Sequence, residues 1–197
     1  MLLKKGGRFP NTHIEGNRAL GKKGIFCAKT MDRMAVKQKG LYDIMNEIKE
    51  GKALVMDVPA KTDFWRISHY GFTVDDGPFY YATYGGEFEV KVKITGNYVT
   101  TFDQMGLMLR IDHENWIKAG VEYVDGKQNV SAVVTHRTSD WSVVQLPDAP
   151  RSLWIKAVRR LDAVEIFFSR DDKEYTMIRT CWWWSVVTRK GHRSHPL

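Results

Sequence analysis

Two alternating runs joined by Asp125-Gly126 constrain this chain more than any other feature. In "NWIKAGVEY", residues 115 to 123, Ile117, Ala119, Val121 and Tyr123 fall on one side, and Trp116, Lys118, Gly120 and Glu122 fall on the other. That is the period of a β-strand with one buried face. Asp-Gly between alternating runs is a strong short hairpin signal. A two-residue turn there pairs Val121 with Val130, Ala119 with Ala132 and Ile117 with Val134, apolar against apolar. The same register sets Glu122 opposite Asn129, Gly120 opposite Ser131 and Trp116 opposite Thr135. Upstream, "GLMLRID" splits into Leu107, Leu109 and Ile111 against Met108, Arg110 and Asp112. A three-residue loop, Asp112 to Glu114, places Arg110 across from Trp116 and Met108 across from Lys118, because only an odd loop matches the two faces. Three consecutive strands therefore agree on one buried face. The opposite face collects Arg110, Trp116, Lys118, Glu122, Asn129, Ser131 and Thr135, and is predicted to line an open cleft, since a merely solvated face has no need of a tryptophan.

The rest of the chain is consistent with this sheet. Residues 1 to 40 are rich in Gly, Lys and Arg with no sustained period, and residues 1 to 51 are read as a basic, flexible lead. Leu41, Ile44, Met45 and Ile48, followed by Gly51, predict a short helix over 41–50. From Lys52 onward the pattern is β: "ALVMDV", "FWRI", "GPFYYATY", "EFEVKVKI" and "YVTTF" are strand candidates separated by Gly, Asp and Asn. No convincing helix falls between 60 and 180. The fold predicted for 52–180 is an all-β, antiparallel two-sheet sandwich. Residues 181–197, "CWWWSVVTRKGHRSHPL", are read as an atypical basic tail, because adjacent tryptophans in a strand point to opposite sides and cannot share one face. The sandwich is accordingly expected to have incomplete edge strands.

Charge separates the same regions. The formal net charge is +7, but residues 1–52 carry 12 Lys/Arg against 5 Asp/Glu, residues 53–180 carry 15 against 18, and residues 181–197 carry 3 against none. A folded nucleic-acid platform places its positive charge on the domain face, so no specific nucleic-acid partner is expected. Two cysteines, Cys27 and Cys181, are too few for a disulfide scaffold and too far apart for a metal knuckle. The start MLLKKGGRF has no apolar signal region and the apolar runs are too short for a membrane span, which predicts a cytoplasmic protein without membrane contact.

The motifs "TDFWR", "HYGF", "FDQMGLMLRID", "NWIKAGVEY" and "VVTHRTSDWS", in that order, resemble a domain-of-unknown-function family of the concanavalin A-like lectin and glucanase superfamily, the family that includes the fungal regulation-of-enolase protein. The likeness runs from about residue 52 to residue 180. It implies a jelly roll of two packed sheets, one curved around a cleft, and a cytoplasmic, lectin-like domain linked to the regulation of carbohydrate metabolism through enolase.

Sugar-cleaving relatives of such a fold need paired carboxylates, about 5 Å apart for retention and about 6.5–9.5 Å for inversion. Glu122 is the one acid on the cleft face of the central strands, flanked at two residues by Gly120 and Val124 and facing Asn129. Asp103 and Asp140 are expected to fix turns. A non-catalytic binding domain is therefore expected, with a saccharide or sugar phosphate as ligand and Arg110, Trp116, Lys118, Glu122, Thr135 and Trp141 as the binding residues. The alternatives are a protein-protein interaction module using the same face, and a weak glycoside hydrolase in which Glu122 is the catalytic carboxylate. His69, His113 and His136 lie far apart, so no metal and no cofactor is expected. His192 and His195 belong to the tail.

Overall fold

The computed structural model describes residues 2–4, 60–79, 81 and 86–183. The expected helix at 41–50, the "ALVMDV" strand and the tail beyond Trp183 lie outside these residues. The described residues form eleven strands: β1 (Leu2–Lys4), β2 (Phe64–Arg66), β3 (Thr73–Asp75), β4 (Phe88–Thr95), β5 (Gln104–Arg110), β6 (Asn115–Val124), β7 (Lys127–His136), β8 (Thr138–Gln145), β9 (Ser152–Arg160), β10 (Ala163–Ser169) and β11 (Thr176–Trp182). No described residue is helical.

Two antiparallel sheets make the sandwich. One has the order β1-β5-β6-β7-β8 and the other β11-β10-β9-β4. Period-2 patterning gives each sheet one apolar face, and the two apolar faces meet. Met105, Leu107, Leu109, Ile117, Ala119, Val121, Val130, Ala132 and Val134 of the first pack against Val90, Val92, Ile94, Leu153, Ile155, Ala157, Val164, Ile166 and Phe168 of the second. The register read from the sequence is the one formed: Arg110 pairs with Trp116 and Met108 with Lys118, and Val121 pairs with Val130, Gly120 with Ser131 and Trp116 with Thr135. The β5–β6 loop closes as an odd loop because Asp112 Oδ1 accepts hydrogen bonds from the N–H groups of Glu114 (2.7 Å) and Asn115 (2.8 Å). Burial alone raises the Asp112 carboxyl, but the Asn115 side chain and these two backbone donors more than offset it and hold the group below its ordinary value.

Three expectations are corrected. "GPFYYATY" does not give a strand over Gly77–Phe79. Gly77 instead lies against the Phe64 ring, where a β-carbon would come within 2.4 Å, and Phe79 meets Phe64 edge-on at 5.7 Å. "YVTTF" is a turn, because Asp103 Oδ2 captures the N–H groups of Val99 (2.9 Å) and Thr100 (2.8 Å) and Phe102 takes a left-handed φ of 70°. Asp103 thus does the turn-fixing expected of it, while Asp140 pairs with Arg179 on β11. Finally, "CWW" continues β11 as an edge strand: Cys181 pairs with Val164 and Trp182 with Ala163. Strict alternation turns Trp182 outward and Trp183 into the main core, its N–H bonded to the Asp162 carbonyl at 2.7 Å.

Candidate functional site

The face of the five-stranded sheet turned away from the main core carries, row by row, Gln104, Glu122 and Asn129; Gly106, Gly120 and Ser131; Met108, Lys118, Val133 and Trp141; and Arg110, Trp116, Thr135 and Ser139. Sequence parity assigns Arg110, Trp116, Lys118, Glu122, Asn129, Ser131 and Thr135 correctly to one face, but the expectation that this face lies open is corrected. Trp116 is 1% exposed, Arg110 2% and Glu122 6%. A two-stranded ribbon, β2 paired with β3, covers Arg110 and Trp116.

Three ion pairs fasten the ribbon. Arg110 donates both terminal nitrogens to Asp75 at 2.5 and 2.7 Å, Arg66 pairs with Glu114 at 2.7 Å, and Lys118 reaches Asp63 at 3.2 Å. Arg66 also donates its backbone N–H to Ser139 Oγ and its Nε to the Arg137 carbonyl, both at 3.0 Å. Under this cover Phe64, Trp65, Met108, Trp116 and Val133 make a second small core, with Phe79 and Trp141 against it. Trp116 meets Phe64 edge-on at 6.2 Å. Its indole Nε1 is buried without a hydrogen-bond partner among the described residues.

Where the ribbon ends, a cavity of about 140 Å³ opens, lined by Asp63, Trp65, Tyr70, Phe72, Phe102, Lys118, Glu122 and Trp141. The structure therefore brings three of the sequence-assigned residues, Lys118, Glu122 and Trp141, into one wall. It seals Arg110, Trp116 and Thr135 beneath the ribbon, where Thr135 shares a hydroxyl contact of 2.9 Å with Ser139. Gly120 faces Gly106 across the strands, the two lining a small recess, and a β-carbon on Gly120 would lie 2.0 Å from the Met105 carbonyl oxygen. Strand β5 fills the space that the missing side chain vacates.

The polar groups of the cavity are arranged asymmetrically. Lys118 Nζ donates to Gln104 Oε1 at 2.9 Å and to Asp63 Oδ1 at 3.2 Å. Asp63 Oδ1 accepts in addition from Gln104 Nε2 at 3.3 Å and from the Phe64 N–H at 2.8 Å. Glu122 Oε2 accepts from Trp141 Nε1 at 2.9 Å. Burial pushes the Glu122 carboxyl above its ordinary value. Lys118 opposes this, Asp63 adds to it, and the hydrogen bonds from Ser131 and Trp141 oppose it without cancelling it.

Asp63, Trp65, Tyr70, Phe72 and Phe102 are the wall residues that the sequence reading missed. Four of them fall in the quoted motifs "TDFWR" and "HYGF", yet parity assigns a face and not what covers it. The ribbon turn is tightly wound: Ile67 and His69 both take a φ of 64°, and Ile67 N–H bonds the Phe72 carbonyl at 2.7 Å. A β-branched residue in this region is strained. The turn leaves Ile67, Tyr70 and Phe72 at 46%, 43% and 44% exposure, the last two on the cavity rim. His69 sits against Tyr70 at 4.5 Å and His136 bonds Asn115 at 2.7 Å. Among the described residues no three His, Cys, Asp or Glu side chains are grouped to hold a metal ion, and no helix is long and apolar enough to cross a membrane.

The class defined by this architecture is an antiparallel β-sandwich with a ribbon-covered aromatic cavity on the outer face of one sheet. The chain belongs to the family described as Protein of unknown function (DUF1349), whose profile matches residues 44–190. Regulation of enolase protein 1 of Saccharomyces cerevisiae is 36% identical over 131 residues, covering 66% of this chain and 66% of that protein. An uncharacterized protein of Emericella nidulans is 28% identical over 76 residues, 36% of this chain and 38% of its own length. The crystal structure of a functionally unknown protein from Saccharomyces cerevisiae superposes with a TM-score of 0.61 at 37% identity, over 64% of this chain and 68% of that one.

Proposed function

We propose that this chain is a cytoplasmic, non-catalytic regulatory domain whose covered cavity binds a saccharide, and that occupancy is relayed to a metabolic enzyme, enolase being suggested by the name of the yeast relative. The observation that carries the reading is the cavity wall: five aromatic side chains around Asp63, Lys118 and Glu122. Indole and phenyl faces suit the apolar faces of a sugar ring, while its hydroxyls need both donors and acceptors. A sugar phosphate fits less well, because the lysine of the wall is already held by Asp63 and Gln104. Hydrolysis fits less well for a related reason: Asp63, the acid nearest to partnering Glu122, has Oδ1 engaged by Lys118, Gln104 and the Phe64 N–H.

The test is a thermal-shift series with hexoses and hexose 6-phosphates on the wild type, on Trp141→Ala and on Trp116→Ala. Ligand binding to the folded state raises the melting temperature with ligand concentration. The rise should be present in the wild type and lost in Trp141→Ala, which removes a wall. Trp116→Ala, which lowers the starting stability, should retain it. Absence of any concentration-dependent shift in the wild type would end the saccharide reading. One observation favours a second reading, docking of a protein: Ile67, Tyr70 and Phe72 are large apolar groups exposed on one turn, of the kind that anchor interfaces. Retention of purified enolase by the wild type, lost in Ile67→Ser with Phe72→Ser, and no sugar response, would favour it.

A further inference from the structure

The charges of the cavity do not balance within its own wall. Lys118 and Asp63 are paired at 3.2 Å. Glu122, 6% exposed, has no cation within ion-pair distance among the described residues, and its donors are neutral: the Trp141 indole at 2.9 Å and the Ser131 side chain. An ionised carboxylate sealed in this way is costly unless a cation meets it. The surrounding wall, Trp65, Tyr70, Phe72, Phe102 and Trp141, is itself suited to a cation, since aromatic faces attract positive charge.

We propose that the cavity selects an amino sugar, a hexose ring carrying a protonated amine, over neutral, N-acetylated and phosphorylated sugars, with Glu122 as the specificity-determining acceptor. The inference rests on the saccharide reading above and names the ligand within it. The ring lies against the aromatic wall and the ammonium donates to Glu122. The charge-assisted bond so formed replaces the partner that the protein itself does not supply. A neutral hexose leaves the carboxylate uncompensated, and a phosphate adds a second anion beside it.

Binding is then linked to the ionisation of Glu122. The charged groups that face it are Lys118 on its own strand and Asp63 ahead of β2. Strands β5, β7 and β8 present Gln104, Asn129, Ser131 and Trp141, none of which changes charge between about pH 4 and about pH 8. Burial holds the carboxyl above its ordinary value. An amino sugar should therefore bind more tightly at about pH 7 than at about pH 4, below the ordinary carboxyl value, while a neutral hexose should not.

The experiment is isothermal titration calorimetry of the full chain with glucosamine, glucose, N-acetylglucosamine and glucose 6-phosphate, at both pH values, on the wild type and on Glu122→Gln. Glucosamine should bind about tenfold or more tightly than glucose at the higher pH, and the gap should close in Glu122→Gln. Glucose equal to or better than glucosamine in the wild type overturns the proposal and leaves the saccharide reading standing. A glucosamine preference that survives in Glu122→Gln overturns Glu122 as the determinant. Failure of every sugar removes both the proposal and the reading on which it rests. Should Glu122→Gln fold poorly, the wild-type pH series decides: a glucosamine affinity that does not rise overturns the proposal.

Discussion

Removing Asp75 should expose how much the ribbon contributes to the fold. The Arg110 side chain is 2% exposed and is held in two parallel hydrogen bonds by Asp75, which is 29% exposed. Its other neighbours include the Phe64 and Phe79 rings, at 5.5 and 5.8 Å from the guanidinium carbon. Taking away one partner of a buried pair costs about 3–5 kcal/mol, because the remaining charge stays desolvated. With Asp75 itself partly wetted, the lower end applies, about 3 kcal/mol for Asp75→Ala. For a domain of this size each kcal/mol shifts the melting temperature by about 2–4 °C, so a fall of roughly 6–12 °C is expected. The double variant Arg110→Met with Asp75→Asn removes the charge as well as its partner, and should recover to within about 1 kcal/mol of the wild type. Urea unfolding followed by tryptophan fluorescence measures both. An Asp75→Ala variant within about 0.5 kcal/mol of wild type would mean an exposed pair, worth little in water, and the ribbon would not seal this face.

Other expected outcomes follow from single groups. Because the Glu122 carboxyl is raised by burial above the ordinary value of 4.5, the folded state keeps its proton to higher pH than the unfolded state. The stability held below 4.5 is therefore lost as pH rises through the folded value. The stability difference between Glu122→Gln and wild type, from urea melts at several pH values, should grow across that interval, and parallel curves would refute the assignment. Gly120→Ala places a β-carbon 2.0 Å from the Met105 carbonyl oxygen and should cost about 3 kcal/mol, since backbone rather than a flexible side-chain end must move; a chemical-denaturation midpoint near wild type would contradict the close approach of β5 and β6. Asp112→Ala loses the acceptor of two backbone N–H groups and should cost about 1–2 kcal/mol. Because that carboxyl is held below its ordinary value of 3.8, its contribution is present above 3.8 and is lost as pH falls through the lower folded value, and a variant that tracks wild type during acid unfolding would argue otherwise.

The register of the three strands between Gly106 and Thr135 was legible, because its information is local. Period-2 apolar patterning, an Asp-Gly turn and an odd loop leave one register in which apolar residues meet. The site was legible only in part. Lys118 and Glu122 were placed on the correct face, yet their surroundings come from Asp63 and Phe102 and from the ribbon turn, which no local period connects to β6. Lys118 finds Asp63 55 residues away in sequence. The polar parity of Trp116 was read as openness, when the face is polar in order to accept the ribbon: Arg110 awaits Asp75, and Trp116 awaits Phe64. "YVTTF" misled for a related reason. Its residues favour strands, but one acceptor, Asp103, takes the backbone donors that a strand would need. The "CWW" segment misled in the opposite direction: its alternation is compatible with an edge strand once one tryptophan faces water.

The central claim, that the ribbon-covered cavity is a ligand site, is most directly tested at its rim, where substitution leaves the core intact. Tyr70 and Phe72 stack at 5.5 Å and are both more than two-fifths exposed. A glucosamine titration of the wild type and of Tyr70→Ala with Phe72→Ala, read by calorimetry at neutral pH, compares a closed wall with an open one. The expected result is saturable binding in the wild type and a loss of about tenfold or more in the double variant, with the melting temperature of the unliganded protein nearly unchanged. Equal affinity in the two proteins would contradict the account and place the ligand elsewhere on the molecule.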